Sequence, residues 1–130
     1  NKIFSDAQIL AQVNAIVHPA VQQYILERLE AAKTRDDIEL FFIEAALLIE
    51  AGYSEIVDEM WYIYADRNVR RRRLMYSRGY SEEKIQNIMD NQLTEEEFRE
   101  ACDFVIDNSG LLADSFRQID EKLEAFTWQE

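Results

Sequence analysis

The chain begins with two stretches whose apolar residues recur every three or four positions, the spacing of one face of an α-helix. Ser5-Asp6 offers an N-cap for the first stretch. Pro19 interrupts the pattern and suits the first turn of a second helix, which the polar segment Lys33–Asp37 ends. We therefore expect a pair of helices at the front of the chain. Their apolar faces would consist of Ile9, Leu10, Val13, Ile16 and Val17, then Val21, Tyr24, Ile25 and Leu29.

Three short runs farther along are apolar at most positions: Ile38–Glu44, Glu59–Asp66 and Asp103–Asp107. Such runs are typical of strands buried on both faces, as in parallel sheets. The segment after the first run is predicted to form a short helix that closes at Gly52. Strands that alternate with helices predict an α/β fold with a three-stranded parallel sheet.

Polar residues with capping chemistry mark the other predicted helices. Asp66 would cap the helix that carries most of the arginines, and Gly79 would end it. Ser81 would cap the next helix, and Thr94 with Glu97 matches a capping box. The apolar face of a last helix would present Leu112, Phe116, Ile119, Leu123 and Phe126.

The charge balance is acidic: 14 lysines and arginines stand against 26 aspartates and glutamates, for a net charge of −12. Such a surface would repel a phosphate backbone almost everywhere, which argues against general nucleic-acid binding. At 130 residues, with 48% hydrophobic residues, the chain is expected to fold as one domain with its own core.

Cysteine content and hydropathy bear on location. Cys102 is the only cysteine, so it cannot form an internal disulfide, which fits a reducing compartment. It lies on an apolar face and is expected to be a small core residue. No apolar run approaches the roughly 20 residues that span a bilayer, and no signal segment opens the chain. We therefore expect a soluble cytoplasmic protein with no membrane contact.

The positive charge is concentrated, since six of the ten arginines fall between Arg67 and Arg78. A helix turns by about 100° per residue, so Arg67, Arg71 and Arg78 lie within roughly 40° of one another. Such a row could clamp a polyphosphate, because guanidinium groups pair bidentately with phosphate oxygens. Two alternatives stay open: a solvated face whose arginines pair with nearby carboxylates, and an RNA-binding segment.

Other candidate residues carry weaker signals. The turn after the last strand, at Asn108, lies where ligands bind in open α/β sheets, but its Asn-Ser-Gly sequence is also ordinary turn chemistry. His18 is the only histidine and Glu50 follows a strand, and structural roles would explain both. No cysteine and histidine cluster exists for zinc, and the three glycines cannot build a glycine-rich phosphate loop.

Six segments, taken in order, extend over nearly the whole chain: IFSD (Ile3–Asp6), VNAIVHPAV (Val13–Val21), EAALLIEAG (Glu44–Gly52), RLMYSRGYSEEKI (Arg73–Ile85), NQLTEEEF (Asn91–Phe98) and DFVIDNSG (Asp103–Gly110). Together they resemble the dephospho-coenzyme A kinase family. Its members are P-loop kinases that use ATP and Mg²⁺ to phosphorylate the ribose 3′-hydroxyl of dephospho-coenzyme A, the last step of coenzyme A synthesis.

The resemblance implies a division of the chain. Residues 1–37 would form a helical coenzyme A-binding region, and residues 38–66 core strands with a substrate-side helix. Residues 67–92 would form a lid over the phosphates, and residues 93–130 the last core strand and helices.

The resemblance also implies site residues. Arg73 and Arg78 would be catalytic, and Arg67, Arg71 and Asn108 would bind ATP, with Asn108 near the adenine. His18 and Glu50 would lie on the side of dephospho-coenzyme A, and no residue is assigned to a metal. The partners would be ATP and dephospho-coenzyme A, without nucleic acid.

Three departures from the family pattern matter. Ser77 stands where many members place a second lid arginine, which Arg78 could replace, and Ala46 stands where many have proline. The family's glycine-rich loop has no counterpart, so the chain resembles the C-terminal two-thirds of a member. We therefore expect the chain alone to be inactive. With open strand edges it would have to rearrange, to self-associate or to belong to a longer polypeptide. The alternative is a non-catalytic kinase-derived module for binding or assembly.

Overall fold

One continuous helix forms the front of the described chain. The structure is a computed structural model that describes residues 6–127. Helix α1 spans Ala7–Lys33, and the Asp6 carboxylate caps it by accepting two hydrogen bonds from backbone N–H groups of the first turn, at 2.9 and 3.2 Å. The predicted break is wrong, because Pro19 lies inside the helix. Proline has a helical φ angle, so here it removes one hydrogen bond without ending the helix.

The chain divides into two units, residues 1–53 and residues 54–130, which we call the N-terminal and C-terminal units. In the N-terminal unit, part of the apolar face predicted for the opening helices is exposed. This exposed patch of α1 consists of Ile16, Val17, Val21 and Tyr24. Ala32, near the end of the helix, is buried. These four positions of the predicted apolar faces are therefore exposed rather than packed within the described residues.

The apolar run Ile38–Glu44 follows α1 but does not form the predicted strand. A strand requires a neighbour that completes its ladder of hydrogen bonds. Within residues 6–127 the sheet has two strands, both in the C-terminal unit, so the predicted count of three is wrong. The run is also exposed where burial on both faces is expected: Phe42 is 62% exposed.

Residues 46–52 form a series of turns where the sequence predicts a short helix. One α-helical hydrogen bond is present, from the Ala51 N–H to the Leu47 carbonyl at 2.9 Å. Gly52 has a φ of 79°, the left-handed conformation that glycine adopts without strain, and it ends the segment as predicted. A 3₁₀ helix follows at Tyr53–Glu55.

Two parallel strands form the sheet of the C-terminal unit. Strand β1 spans Trp61–Tyr64 and β2 spans Phe104–Asp107, inside the runs that the sequence predicts. The register places Trp61 opposite Phe104, and their rings meet edge to face with centroids 5.4 Å apart. The predicted α/β class with a parallel sheet is confirmed.

Three helices lie between the two strands in the chain, and each begins at the predicted cap. Their bounds are Arg67–Arg78 for α2, Glu82–Asp90 for α3 and Glu95–Ala101 for α4. Asp66, Ser81 and Thr94 are the N-caps, and both hydrogen bonds of the predicted capping box are present. Gly79 ends α2 with a φ of 63°.

Helix α5 spans Leu112–Thr127 and packs against β2. The Gln118 side chain fixes it there, since it bonds both the N–H and the carbonyl of Asp107, at 2.8 and 2.9 Å. The predicted apolar face is half right, because Leu112 and Phe116 are exposed while its later members are half-buried. The buried side chains of this unit are Met60, Ala65, Ile85, Met89, Ile106 and Ser115.

Candidate functional site

The carboxyl ends of β1 and β2 meet at one edge of the sheet, and hydrogen bonds tie the two strand ends together. The N–H of Asn108, just past β2, donates to the carbonyl of Tyr64 at 2.6 Å. The N–H of Asp66, just past β1, donates to the side-chain oxygen of Ser109 at 2.7 Å. Because Asp66 is also the N-cap of α2, the turn after β2 is linked directly to the start of the arginine-rich helix.

Asp107 is the last residue of β2, and its carboxylate stabilises the turn that follows. The N–H of Ser109 donates to it at 2.9 Å. The Ser109 hydroxyl and this N–H, helped by the positive charge of Arg99, hold the pKa of Asp107 below its usual range. Asp107 is therefore ionised near neutral pH and shapes the turn rather than supplying a proton.

The Asn108 side chain is held as firmly as its backbone. Its carbonyl oxygen lies 2.6 Å from the hydroxyl of Ser115, a buried residue on α5. Sequence reasoning selected Asn108 but missed Ser115, because a serine inside a helix gives no sign of what it contacts in the folded chain.

The six arginines of helix α2 form no ion pair with a carboxylate within residues 6–127. Within residues 6–127, every ion pair involves a lysine or arginine outside α2. The nearest acidic group in sequence, Asp66, is occupied as the cap of the helix. The carboxylate-paired face considered above is therefore not what the described residues form.

Two of these arginines contact neutral side chains instead. Arg71 donates to the Gln86 side-chain oxygen at 2.7 Å, and Arg70 donates to that of Gln92 at 3.3 Å. Gln86 in turn donates to the Asp90 carboxylate, also at 2.7 Å. The neutral amide of Gln86 thus holds Arg71 in place and leaves its charge intact. The four-residue spacing of Gln86 and Asp90 was the only sequence signal for this contact.

The turn from α2 to α3 gathers further positive charge around one tyrosine. A hydrogen bond from Arg78 lowers the pKa of Tyr80 more than the nearby charge of Lys84 does. The Lys84 ammonium lies 3.9 Å from the centroid of the same ring, a cation–π contact. Arg78 is thus positioned beside a second cation at the exposed end of α2.

The remaining predicted site residues are exposed. Arg67 and Arg73 lie on the surface of α2, and helical geometry separates Arg73 from Arg78 by about 140°. His18 lies in α1 and Glu50 in the turns of residues 46–52, both exposed and both in the N-terminal unit. The structure therefore groups Arg67, Arg71 and Arg78 on one side of α2.

The N-terminal unit contains an open cleft that sequence reasoning did not select. It has a volume of about 310 Å³ and lies between α1 and residues 41–44. The Arg28 guanidinium lies 5.8 Å from the ring centroid of Tyr24 at its wall. The residues that line the cleft are Tyr24, Ile25, Arg28, Phe41, Phe42, Ile43 and Glu44.

Two further features concern metals and thiols. Residues 6–127 contain no group of three or more His, Cys, Asp or Glu side chains placed to hold a metal ion. Cys102 is half-buried. Its burial, and to a smaller extent the charge of Asp103, raise the pKa of its thiol, as expected of a packed rather than reactive cysteine.

No helix formed by residues 6–127 combines the length and apolarity that a bilayer crossing requires.

The C-terminal unit is thus of the α/β class, with a capped, arginine-rich helix that begins at the carboxyl edge of a parallel sheet, where ligands bind in open α/β sheets. Comparison with known proteins narrows this class. A family model for dephospho-CoA kinase matches residues 1–114. The chain is 32% identical to a dephospho-CoA kinase of Corynebacterium diphtheriae over 128 residues, 98% of this chain and 61% of that protein. It is 36% identical to one of Geobacter sulfurreducens over 119 residues, 92% of this chain and 60% of that protein.

Two solved structures share the fold of this chain. A Thermus thermophilus crystal structure superposes with a TM-score of 0.76 at 32% identity, covering 95% of this chain and 62% of the other. A Campylobacter jejuni dephospho-CoA kinase gives 0.66 at 24% identity, covering 94% and 60%, which bears on the fold alone. The chain belongs to the dephospho-CoA kinase family. It spans about three-fifths of the length of the curated relatives that it matches.

Proposed function

We propose that this chain supplies the lid, the substrate side and the adenine side of an ATP-dependent kinase that phosphorylates the ribose 3′-hydroxyl of dephospho-coenzyme A. Family membership supports the reaction class. The location of the arginines in the C-terminal unit supports the part that this chain would play in it.

The state of the α2 arginines is the observation that carries the proposal. The chain has 26 acidic residues, yet no ion pair within residues 6–127 neutralises an arginine of α2. Holding unneutralised guanidinium groups together is electrostatically unfavourable, so an anionic ligand that binds them gains their full charge. A triphosphate fits such a row, because each guanidinium can bind two phosphate oxygens.

In this proposal the arginines of α2 have two different roles. Arg67, Arg71 and Arg78 lie on one side of α2 and grip the ATP phosphates. Arg73 projects from another side and, with Arg78, neutralises the charge that develops on the transferred phosphoryl group. Phosphoryl transfer needs little covalent help from the protein, so positioned positive charge is the main contribution that a lid can make.

Substrate contacts complete the proposal. Asn108 lies at the sheet edge next to the cap of α2, which suits a residue on the adenine side of ATP. His18 and Glu50, in the N-terminal unit, would contact dephospho-coenzyme A. Mg²⁺ belongs to the family's reaction, but the described residues offer no cluster to hold it, so we assign no residue to it and derive no step through it.

Calorimetry on the purified chain tests the proposal. We expect weak binding of ATP and of dephospho-coenzyme A, and no turnover when both are present with Mg²⁺. Arg78→Ala should weaken ATP binding, whereas Arg117→Ala, which removes an arginine paired with Glu121 on α5, should not. A chain that binds neither compound would contradict the proposal. Turnover by a chain of confirmed mass would contradict only the expectation that the chain alone is inactive, and it would leave the proposed reaction standing.

The exposed patch of α1 favours a second candidate, a kinase-derived module for binding or assembly. Four large apolar side chains are exposed along one helix, and contiguous exposed apolar patches can mark sites that bind another protein. Such a module would bind a protein and neither ATP nor dephospho-coenzyme A, so the same calorimetry separates the two functions. An RNA-binding chain would instead show steeply salt-dependent RNA affinity.

A further inference from the structure

The length of one hydrogen bond fixes which way the Asn108 amide faces. The Ser115 hydroxyl oxygen and the Asn108 carbonyl oxygen are 2.6 Å apart. That distance is normal for an O–H···O hydrogen bond and short for an N–H···O hydrogen bond. The hydroxyl is therefore the donor and the amide oxygen the acceptor. The NH₂ group of Asn108 consequently faces away from Ser115.

The groups on both sides of this hydrogen bond are anchored. Ser115 is only 5% exposed, and Gln118 on the same helix bonds the backbone of Asp107 twice. The Asn108 N–H is bonded to the Tyr64 carbonyl. Turning the Asn108 amide over would place its NH₂ group against the buried Ser115 hydroxyl, which would then lose the acceptor of its hydrogen bond.

We propose that Ser115 is a positioning residue that determines base specificity, because it makes Asn108 present a hydrogen-bond donor to the nucleotide. The inference rests on the proposed function, in which Asn108 lies beside the adenine of ATP. Adenine has an unprotonated ring nitrogen, N1, on its Watson–Crick edge, and this nitrogen accepts a hydrogen bond. At the same ring position guanine carries a proton on N1, so the fixed NH₂ group of Asn108 meets a donor there instead of an acceptor.

Removing the Ser115 hydroxyl should therefore release the amide. In Ser115→Ala the Asn108 side chain can turn over and accept a hydrogen bond from guanine. We expect the preference of the chain for ATP over GTP to fall by about fivefold, the scale of a single neutral hydrogen bond. Ser115→Thr keeps the hydroxyl and should keep the preference. Ser54→Ala serves as the control, because it removes an exposed serine that is distant in sequence from Ser115 and Asn108.

The test combines calorimetry with ATP and GTP and NMR of the Asn108 side-chain NH₂ group, on variants whose fold is checked by circular dichroism. A lower ATP preference in Ser115→Ala, restored in Ser115→Thr, supports the inference. An unchanged preference in folded Ser115→Ala overturns it. If the wild-type chain binds neither nucleotide, the proposed function fails and the specificity role fails with it. NMR still tests whether Ser115 positions Asn108, because unchanged chemical shifts of the Asn108 NH₂ group in Ser115→Ala would overturn that role.

Discussion

The backbone N–H of Asp66 donates a hydrogen bond of 2.7 Å to the side-chain oxygen of Ser109, 43 residues later in the chain. This contact joins the second residue after β1 to the turn after β2. The same hydroxyl bonds the carboxylate of Asp107. Ser109 therefore couples the start of the arginine-rich helix to the turn that holds Asn108.

Ser109→Ala should loosen this coupling. The Asp66 N–H would lose its partner, which we expect to lower the free energy of unfolding by about 1 kcal/mol. The pKa of Asp107 should rise toward its usual value, because the Ser109 hydroxyl is the main cause of its lowering. Urea unfolding measures the first effect and NMR titration of the carboxyl the second. Ser54→Ala should leave both unchanged.

Asp107 should contribute stability that depends on pH. Its folded-state pKa is lowered from the ordinary value of 3.8, so the unfolded chain takes up the proton at a higher pH than the folded chain does. The contribution is therefore fully present above about pH 5 and is lost as the pH falls through the folded-state pKa. Asp107→Asn removes it.

The measurement is the difference in unfolding free energy between the wild-type chain and Asp107→Asn, followed from pH 6 downward. We expect this difference to shrink below about pH 4, near the pKa of an unfolded aspartate. Asp120→Asn, on the exposed side of α5, makes the same substitution outside the turn and serves as the matched comparison. A difference that stays constant to the lowest pH at which the chain folds would contradict the assignment.

The elements that the sequence predicts correctly depend on neighbouring residues. Asp66, Ser81 and Thr94 each cap a helix two or three residues away, so the pattern alone identifies them. Ile38–Glu44 has a strand's composition, but composition does not provide a pairing strand. Pro19 is tolerated inside α1 because its φ angle is already helical. The sequence pattern does not show whether this φ angle outweighs the hydrogen bond that proline removes.

The candidate site divides in the same way. The arginines and Asn108 are visible in the sequence because their residue types and spacing indicate chemistry. Gln86 and Ser115, which orient Arg71 and Asn108, come from other helices. Contacts between elements depend on how the chain packs, so the local pattern gives no sign of Ser115, and its only sign of Gln86 is the four-residue spacing to Asp90.

Arg73→Ala tests the catalytic assignment in a complete kinase that contains this chain. We expect kcat/KM for ATP to fall by at least about tenfold, because the removed guanidinium would stabilise charge on the transferred phosphoryl group. Steady-state kinetics with varied ATP measures the effect. Arg72→Ala is the matched control, since it removes an exposed arginine of the same helix that has no assigned role. Equal losses in the two variants would indicate that total helix charge matters, and an unchanged Arg73→Ala would remove Arg73 from the site.

The isolated chain should self-associate through its sheet. Within residues 6–127 the sheet has two strands, so β1 and β2 each have one partner strand and no second one. Open edges with apolar side chains favour pairing between chains, and Ile63 on β1 is 55% exposed. Sedimentation velocity should show an average mass that rises with concentration, and Ile63→Lys should reduce the rise because a charged strand residue opposes pairing. Tyr76→Lys, on the exposed surface of α2, adds the same charge outside the sheet and should not reduce it. A wild-type chain that is monomeric at every concentration, or equal effects of the two lysines, would show that the strand edges do not drive association.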